Sequence, residues 1–348
     1  MARTQTIAAA PDLSTSPRIR PTPLPALTLP DMPTGLHFIR NHFDVPALPA
    51  DTWSLEVEGA VERPATFSLD DLRAFPARTQ TVTLECAGHR RSEFAPSATG
   101  VQWGAGALAE ARWTGVALED LLLSARPAAG ACEVVFEGAD RGKHRTTHVD
   151  VPFARSIPLA RALTGDVLLA WAMNGRALPT EHGAPLRVIV PGVYAVASVK
   201  WLRRVHVVDE PFDGAFQVED YRMLGGAEDG ASLQELNVNA LVVTPEAESV
   251  VQGSAVSVAG VAWGGRGGLQ SVEYRLAGDS WRPAAVSDPH PPYGLAHWRG
   301  ALIGVPSGRH TIEVRARDRS GRVQPAQPRW NALGYANNSR HRVPITVE

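Results

Sequence analysis

The 348-residue sequence predicts an α+β domain followed by a β-sandwich of immunoglobulin-like size. Helical and strand-like segments are interleaved without regular βαβ repeats over residues 34–235, which favours α+β over a doubly wound sheet. Over residues 236–348, short alternating strands are separated by Gly/Pro turns and helix signals almost disappear, as is typical of a sandwich. The length also allows about two domains with separate cores.

Composition and charge exclude several classes of protein. A formal net charge of −2 gives no general attraction to nucleic acid or to an anionic membrane, so we expect neither as a partner. No apolar run approaches the roughly 18 residues that a membrane-spanning helix needs. Two cysteines cannot form a disulfide framework. Because the net charge is near zero, any anion site is expected to be a local cluster of cations.

Residues 1–33 are rich in Pro, Ser and Thr and contain neither an apolar h-region nor paired arginines. We expect a flexible leader, or an arm lying over the surface, rather than a recognisable secretory signal. The compartment is left open: the cytoplasm is the default, and a periplasmic location would need a different start of the chain.

The first elements follow from their patterns. "WSLEVEGAV" alternates apolar and polar residues, as a half-buried strand does, and "SLDD" at 68–71 has the capping-box pattern of a short helix that ends before Pro76. "TVTLEC" predicts a strand with Val82, Leu84 and Cys86 on one face. Cys86 is thus expected at a strand end, where side chains commonly project into a site.

The later elements alternate in type. "GVALEDLLLSAR" predicts a helix, "CEVVFEG" a strand, "LARALTGDVLLAWAMNG" a mainly helical segment, and "LRVIVPG" and "VKWLRRVHVVDE" two further strands. In the second domain, "SAVSVAGVAW", "SVEYRLAG", "HTIEVRARD" and "HRVPITVE" predict the strands of the sandwich. "GGRGG" at 264–268 lacks the strand-to-helix context of a phosphate loop, and a hairpin turn is expected there.

"LECAGHRRSE" at 84–93 places Cys86 beside one histidine and two arginines. Nearby cations lower the pKa of a thiol, and a thiolate is a soft donor that suits a soft or redox-active metal. Taken alone, the stretch fits a metal ligand, a nucleophile or a surface loop.

Basic and hydrogen-bonding side chains recur in other Gly/Pro-bounded segments. One economical use for them, in a protein without a basic excess, is to hold a bulky anionic cofactor together with a small oxyanion. They are Arg40 and His42 in "FIRNH", His182 and Arg187 in "EHGAPLR", Lys200 in "ASVKW" and Tyr221 in "EDY". Taken singly, each is more often a structural residue.

In their order along the chain, a set of segments closely resembles the successive motifs of the sulfite oxidase family of molybdenum enzymes. The segments are "FIRNHFDVP", "LECAGHRRSE", "WGAGALAEARWTGV", "FEGAD", "SIPLARAL", "EHGAPLRVIVPG", "SVKWLRRV" and "QPAQPRWNALGYANNSRHRVPITV". The resemblance implies a sulfite-oxidase-type molybdenum-cofactor domain and an immunoglobulin-like domain that mediates homodimerisation. It implies molybdenum with one pyranopterin. Because the sequence has no C-x-x-C-H and no cytochrome-type segment ahead of "FIRNH", we expect no haem, and electrons are expected to leave to a separate acceptor such as a cytochrome c.

The resemblance also implies roles for single residues. Cys86 matches the cysteine that binds molybdenum. The positions that line the oxyanion pocket of the family are matched by Arg40, Arg91, Trp103 and Tyr221. The positions that surround the pterin and its phosphate are matched by Asn41, His42, Asp140, His182, Arg187, Ser198 and Lys200.

The implied activity is oxidation of sulfite to sulfate by oxygen-atom transfer. Animal sulfite oxidases have an arginine after "WNL", where this chain has Ala332 and Leu333, and assimilatory nitrate reductases lack it as well. An enzyme of the same fold acting on another oxyanion or S-oxide (nitrate, a sulfoxide or a sulfane substrate) therefore stays as an alternative. A non-catalytic protein with a degenerate site is a third. Candidates to replace the missing cation are Arg309, Arg340 and Arg342.

Overall fold

The computed structural model describes residues 19–225, 229–233, 235–287 and 291–348. The first 18 residues of the expected leader lie outside this range. Within the described part, no helix is both long enough and apolar enough to cross a membrane.

The first domain is built from short helices and two five-stranded sheets. Its strands are β1 (Ile19–Arg20), β2 (Ile39–Arg40), β3 (Ser54–Gly59), β4 (Ala65–Ser68), β5 (Ala77–Glu85), β6 (Leu108–Ala117), β7 (Glu133–Lys143), β8 (Asp150–Pro158), β9 (Leu168–Met173), β10 (Arg176–Ala177), β11 (Arg187–Ile189) and β12 (Leu202–Val208). Its helices are α1 (Leu69–Arg73), α2 (Leu118–Ala125), α3 (Leu159–Ala162) and α4 (Ala215–Val218).

The two sheets differ in strand direction. One has the order β4-β3-β12-β7-β8, and its β12 runs parallel to β3 and antiparallel to β7. The other is antiparallel with the order β10-β9-β6-β5, and β11 also pairs with β9. Interleaved helices and a mixed sheet make this an α+β domain, as predicted.

Local sequence explains α1 but not β9. The predicted capping box is present, because the Asp71 N–H donates to Ser68 Oγ and the Ser68 N–H donates to Asp71 Oδ2. The mainly helical prediction for "LARALTGDVLLAWAMNG" is wrong, since only Leu159–Ala162 is helical and Leu168–Met173 is a strand. This strand pairs with β6, β10 and β11, and a short apolar run inside a sheet has the same hydrophobic pattern as a buried helix.

Residues 19–33, which the sequence places in the leader, pack as an arm on the first domain, and Leu24–Thr28 also contacts the second domain. Ile19 and Arg20 pair with Arg40 and Ile39 in an antiparallel bridge, and Ala26 and Leu27 are buried. The arm therefore holds the "FIRNH" segment from one side.

The second domain is a sandwich of a four-stranded and a five-stranded sheet. Its strands are β13 (Asn239–Thr244), β14 (Ser249–Val251), β15 (Ala255–Trp263), β16 (Leu269–Leu276), β17 (Arg282–Pro283), β18 (Ala285–Val286), β19 (Ala296–Ile303), β20 (Gly308–Asp318) and β21 (His341–Val347). The sheet orders are β13-β15-β19-β18 and β14-β21-β20-β16-β17. Since β15 and β16 belong to different sheets, 264–268 crosses between sheets, and the hairpin expected there is wrong.

The second domain contacts the first at residues that precede and follow Cys86 in the chain. The indole N–H of Trp263 donates to Glu85 Oε2 over 2.7 Å, and Arg90 Nη1 donates to the Ser339 carbonyl over 2.7 Å. Cys86 thus lies close to the interface between the domains.

Candidate functional site

Two cavities meet at Cys86, and four residues line both of them: Arg40, His42, Cys86 and Tyr221. The inner cavity contains about 660 Å³ of unfilled space and the outer cavity about 860 Å³, counting their openings to solvent. Every residue that the resemblance assigns to a site lines one or both of these cavities.

Apart from the four shared residues, the residues expected around the pterin and those expected around the oxyanion line different cavities. Residues expected around the pterin line the inner cavity: Asn41, His42, Cys86, Asp140, His182, Arg187, Ser198 and Lys200. Residues expected around the oxyanion line the outer cavity: Arg40, Arg91, Trp103 and Tyr221. The sheets explain this convergence, because β2, β5 and β11 each begin or end at the inner cavity.

The inner cavity contains buried polar atoms that have no partner among the described residues. They are His37 Nε2, Asn41 Nδ2, Asp140 Oδ1, His182 Nε2 and Arg187 Nε. Buried polar groups in folded proteins are nearly always paired, and an unpaired one costs about 1–3 kcal/mol. Both donors and acceptors are left over, so the residues present fit a polar heterocycle such as a pyranopterin.

Arg187 is held rigidly at the start of β11. Its Nη1 donates to the His182 carbonyl and its Nη2 to the Ser198 carbonyl, each over 2.9 Å, and the guanidinium lies 4.9 Å from the ring centre of Trp113. Burial lowers the pKa of Arg187 to about 9, so this side chain stays charged at neutral pH. A fixed buried cation of this kind suits a phosphate.

Lys200 adds a second cation to the inner cavity. Its Nζ donates to Asn41 Oδ1 and to the Glu181 carbonyl, and lies 4.2 Å from the ring centre of Trp201. Burial lowers the pKa of Lys200 and raises the pKa of Asp140, and each charge partly offsets the effect on the other. Both groups are therefore short of compensating charge, which an anionic ligand would supply to Lys200.

Cys86 follows the last residue of β5 and is buried, with its N–H donating to the Ala107 carbonyl over 2.9 Å. Burial raises the pKa of its thiol, although Arg40 and Arg91 act in the opposite direction. In the free thiol, burial therefore outweighs the lowering of the pKa that the adjacent cations produce. Arg90, the other arginine of the motif, points away from Cys86. It has a φ of 57° and forms an ion pair with Glu93.

Arg91 reaches the outer cavity through a slot between glycines. Its Nε donates to the Leu333 carbonyl and its Nη1 to the Val101 carbonyl, each over 2.9 Å, which leaves Nη2 without an acceptor among the described residues. A Cβ added to Gly88 would lie 2.7 Å from Arg91 Cζ, and one added to Gly100 would lie 2.9 Å from Nη1. Only glycine fits at these close approaches.

Trp103 and Tyr221 present further polar groups. The buried indole Nε1 of Trp103 has no partner in the part of the chain that the structure describes. Tyr221 Oη and His42 Nε2 share a hydrogen bond of 2.6 Å. Burial raises the pKa of Tyr221 and lowers the pKa of His42, so this pair is neutral at neutral pH.

Sequence reasoning missed several lining residues. His37 lines the inner cavity, and Lys143, His144, Arg145 and Tyr335 line the outer one. The run "KHR" at 143–145 and the tyrosine of "WNALGYANN" were visible signals of local charge and of an aromatic beside Leu333.

None of the three arginines proposed to replace the missing cation lines the outer cavity. Arg309 pairs with Glu248, and Arg342 pairs with Glu313. Arg340 lies 5.2 Å from the ring centre of Trp281. That expectation is wrong, while Leu333 itself does line the cavity.

Known proteins share this architecture. A family model described as "Oxidoreductase molybdopterin binding domain" matches residues 42–216, and "Mo-co oxidoreductase dimerisation domain" matches residues 231–348. Mitochondrial sulfite oxidase of Rattus norvegicus is 37% identical over 90% of this chain, and NADPH nitrate reductase of Aspergillus niger is 33% identical over 90%. The chain spans 61% of the length of that sulfite oxidase and 41% of that nitrate reductase.

A solved structure extends the likeness to three dimensions. The sulfane dehydrogenase SoxCD of Paracoccus pantotrophus superimposes with a TM-score of 0.80 and 27% identity, covering 95% of this chain and 85% of its own. Together with the two matched family models and the two cavities that meet at Cys86, this shows that the chain belongs to the sulfite oxidase family of molybdenum-cofactor oxidoreductases.

Proposed function

We propose that the protein oxidises sulfite to sulfate and passes two electrons to a separate acceptor. The observation that carries the proposal is the outer cavity, where Arg40, Arg91 and the unpartnered indole N–H of Trp103 surround the approach to Cys86. Sulfite and water would give sulfate, two protons and two electrons. A small oxyanion is the ligand that such a set of donors suits.

The cofactor would occupy the inner cavity. Cys86 Sγ would bind molybdenum, and Asn41, Asp140 and His182 would bind the pterin through their unpartnered atoms. Arg187 and Lys200 would bind its phosphate. When bound, molybdenum with one pyranopterin supplies the two-electron redox chemistry and the transferable oxygen that these side chains lack.

The side chains of the outer cavity would bind and orient the substrate. Arg91 would donate from Nη2, the atom that its two backbone contacts leave free, and Arg40 would add a second charge from the end of β2. Tyr221 would hold its hydroxyl at the junction of the cavities through the bond to His42. Donors fixed before the substrate arrives favour the charge that develops during reaction.

We further propose a homodimer formed through the second domain and an electron acceptor of the cytochrome c type. The match of residues 231–348 to a dimerisation domain supports the dimer.

The test is sulfite-dependent reduction of an artificial acceptor such as ferricyanide, with molybdenum quantified on the same purified sample. We expect about one molybdenum per chain and turnover that requires sulfite, as a single cofactor site predicts. Metal-loaded protein without sulfite turnover would contradict the proposed substrate while leaving the cofactor in place.

A second candidate is oxidation or reduction of another oxyanion, an S-oxide or a sulfane substrate. Leu333 favours it, because an apolar side chain lines the outer cavity where animal sulfite oxidases have an arginine. The likeness to sulfane dehydrogenase SoxCD is a further support. Nitrate, a sulfoxide and a sulfane compound in the same assay would separate the candidates.

A further inference from the structure

The outer cavity is lined by basic residues in addition to the substrate residues named so far. Lys143, His144 and Arg145, which we call the rim cluster, begin at the last residue of β7 and line this cavity together with Arg40 and Arg91. Among the described residues that line it, Asp220 is the sole acidic one.

Asp220 fixes the rim cluster to the site. Its Oδ1 accepts from Arg145 Nη2 over 2.7 Å and from Nε over 3.2 Å, and its Oδ2 lies 3.2 Å from His144 Nε2. Asp220 is followed by Tyr221, which has a φ of 58°, so one turn of the chain places the carboxylate beside the rim cluster and the phenol at the cavity junction.

Arg145 is available to a ligand in spite of this ion pair. Its side chain is 60% exposed, whereas Asp220 is 8% exposed. Asp220 occupies Nε and Nη2, and Nη1 has no acceptor among the described residues. The hydrogen bond to Asp220 raises the pKa of Arg145, so the guanidinium stays charged at neutral pH.

We propose that Arg145 binds the anionic substrate, supplying from the first domain a cation that the second domain lacks at Leu333. Arg40 and Arg91 hold the anion near Cys86, and Arg145 neutralises the charge on its outward side. The proposal rests on the proposed function for the identity of the anion as sulfite. It extends that function by assigning the substrate site a third arginine.

Equilibrium binding of sulfate to the molybdenum-loaded protein, measured by isothermal titration calorimetry, tests the inference without turnover. We expect Arg145→Ala to weaken sulfate binding by about 10-fold or more, as loss of a hydrogen bond to a charged group predicts. Arg145→Lys keeps the charge and is expected to bind more tightly than the alanine variant. In the sulfite assay, KM should rise by a similar factor while kcat changes by less than about twofold, because ground-state binding is what is lost.

Arg141→Ala is the matched control. Arg141 is 63% exposed, pairs with Asp150 over 2.6 Å and does not line the outer cavity. We expect its sulfate affinity to equal that of the wild type. Wild-type affinity in Arg145→Ala, or a wild-type protein that binds no sulfate in the millimolar range, would overturn the inference. Absence of sulfite turnover in all variants would reject the proposed function alone, since the sulfate titration still decides the role of Arg145.

Discussion

Cys86 lies where the two cavities meet. Its thiol is buried at the end of a strand, where it lines the inner and the outer cavity together. Burial raises the pKa of the free thiol above its ordinary value. A bound metal would remove this penalty by replacing the proton.

Replacing Cys86 by serine tests its role as the metal ligand. Serine replaces the soft, anionic thiolate donor by a hydroxyl, so we expect a folded protein of unchanged oligomeric state with strongly reduced turnover. Removal of a residue that orients a metal ligand typically lowers metal affinity or activity by about 10- to 100-fold. Loss of the ligand itself should therefore lower turnover by at least about 100-fold.

The measurement for Cys86→Ser is turnover per molybdenum, with circular dichroism and gel filtration to establish the fold. Cys132→Ser, at a half-buried position outside both cavities, is the control. Wild-type turnover in Cys86→Ser would remove this residue from the metal site.

The elements show how far the sequence determines the fold. The capping box of α1 was predictable because its contacts lie within three residues. The strand that ends at Glu85 was predictable because its apolar and polar residues alternate, although its pairing with β6 is long-range. β9 was not, since its pairing with three other strands outweighs local helix propensity.

The site shows the same limit. Ordered motifs predicted positions such as Arg40, Arg91 and Lys200. No motif included Arg145, whose place at the cavity depends on an ion pair to Asp220, 75 positions away in the chain. No local pattern contains that contact.

His341 joins the two sheets of the sandwich. It opens β21, and its Nδ1 accepts from the Val242 N–H of β13 over 3.1 Å. Burial lowers the pKa of His341 from 6.5 to about 3, with a contribution from Arg90. Protonation would also break the bond to Val242, so the folded protein keeps this ring neutral.

We expect a pH dependence of stability from His341. Between pH 6.5 and about 3 the unfolded chain binds a proton at this residue and the folded chain does not. The free energy of unfolding should therefore fall as the pH is lowered, by up to about 1.4 kcal/mol per pH unit. Urea unfolding of the wild type and of His341→Gln at pH 7, 6 and 5 measures the free energy of unfolding at each pH. If this free energy changed equally with pH in both proteins, the assignment to His341 would be contradicted.

At the scale of the whole molecule, the second domain completes the outer cavity. Leu333 and Tyr335 line it, and the Leu333 carbonyl accepts from Arg91 Nε. The Tyr335 ring stacks on Tyr221 at 5.1 Å and lies 5.0 Å from the Arg91 guanidinium. The substrate arginine of one domain is thus positioned by the other.

Gly334→Ala should disturb that positioning. Gly334 has a φ of 60°, and an added Cβ would lie 2.6 Å from Ala98 Cβ and 2.8 Å from Arg91 Cγ. We expect KM for sulfite to rise by about 10-fold, as loss of one charged hydrogen bond implies, with molybdenum content unchanged.

Gly304→Ala is the control for backbone strain in the second domain. Gly304 has a φ of 73°, and no atom of the described residues lies within 4 Å of an added Cβ. It should lose stability without a change in KM. If Gly334→Ala gave the wild-type KM, the second domain would have no part in orienting Arg91.

The separation of the two cavities has an evolutionary consequence. Substitutions in the segment 333–335 or in the rim cluster alter the chamber that meets the substrate, and none of these residues lines the chamber that fits the cofactor. A descendant could therefore acquire a different substrate while inheriting cofactor loading intact. Relatives that share one ancestral cofactor cradle and diverge in the reactions they carry out are what this arrangement would produce.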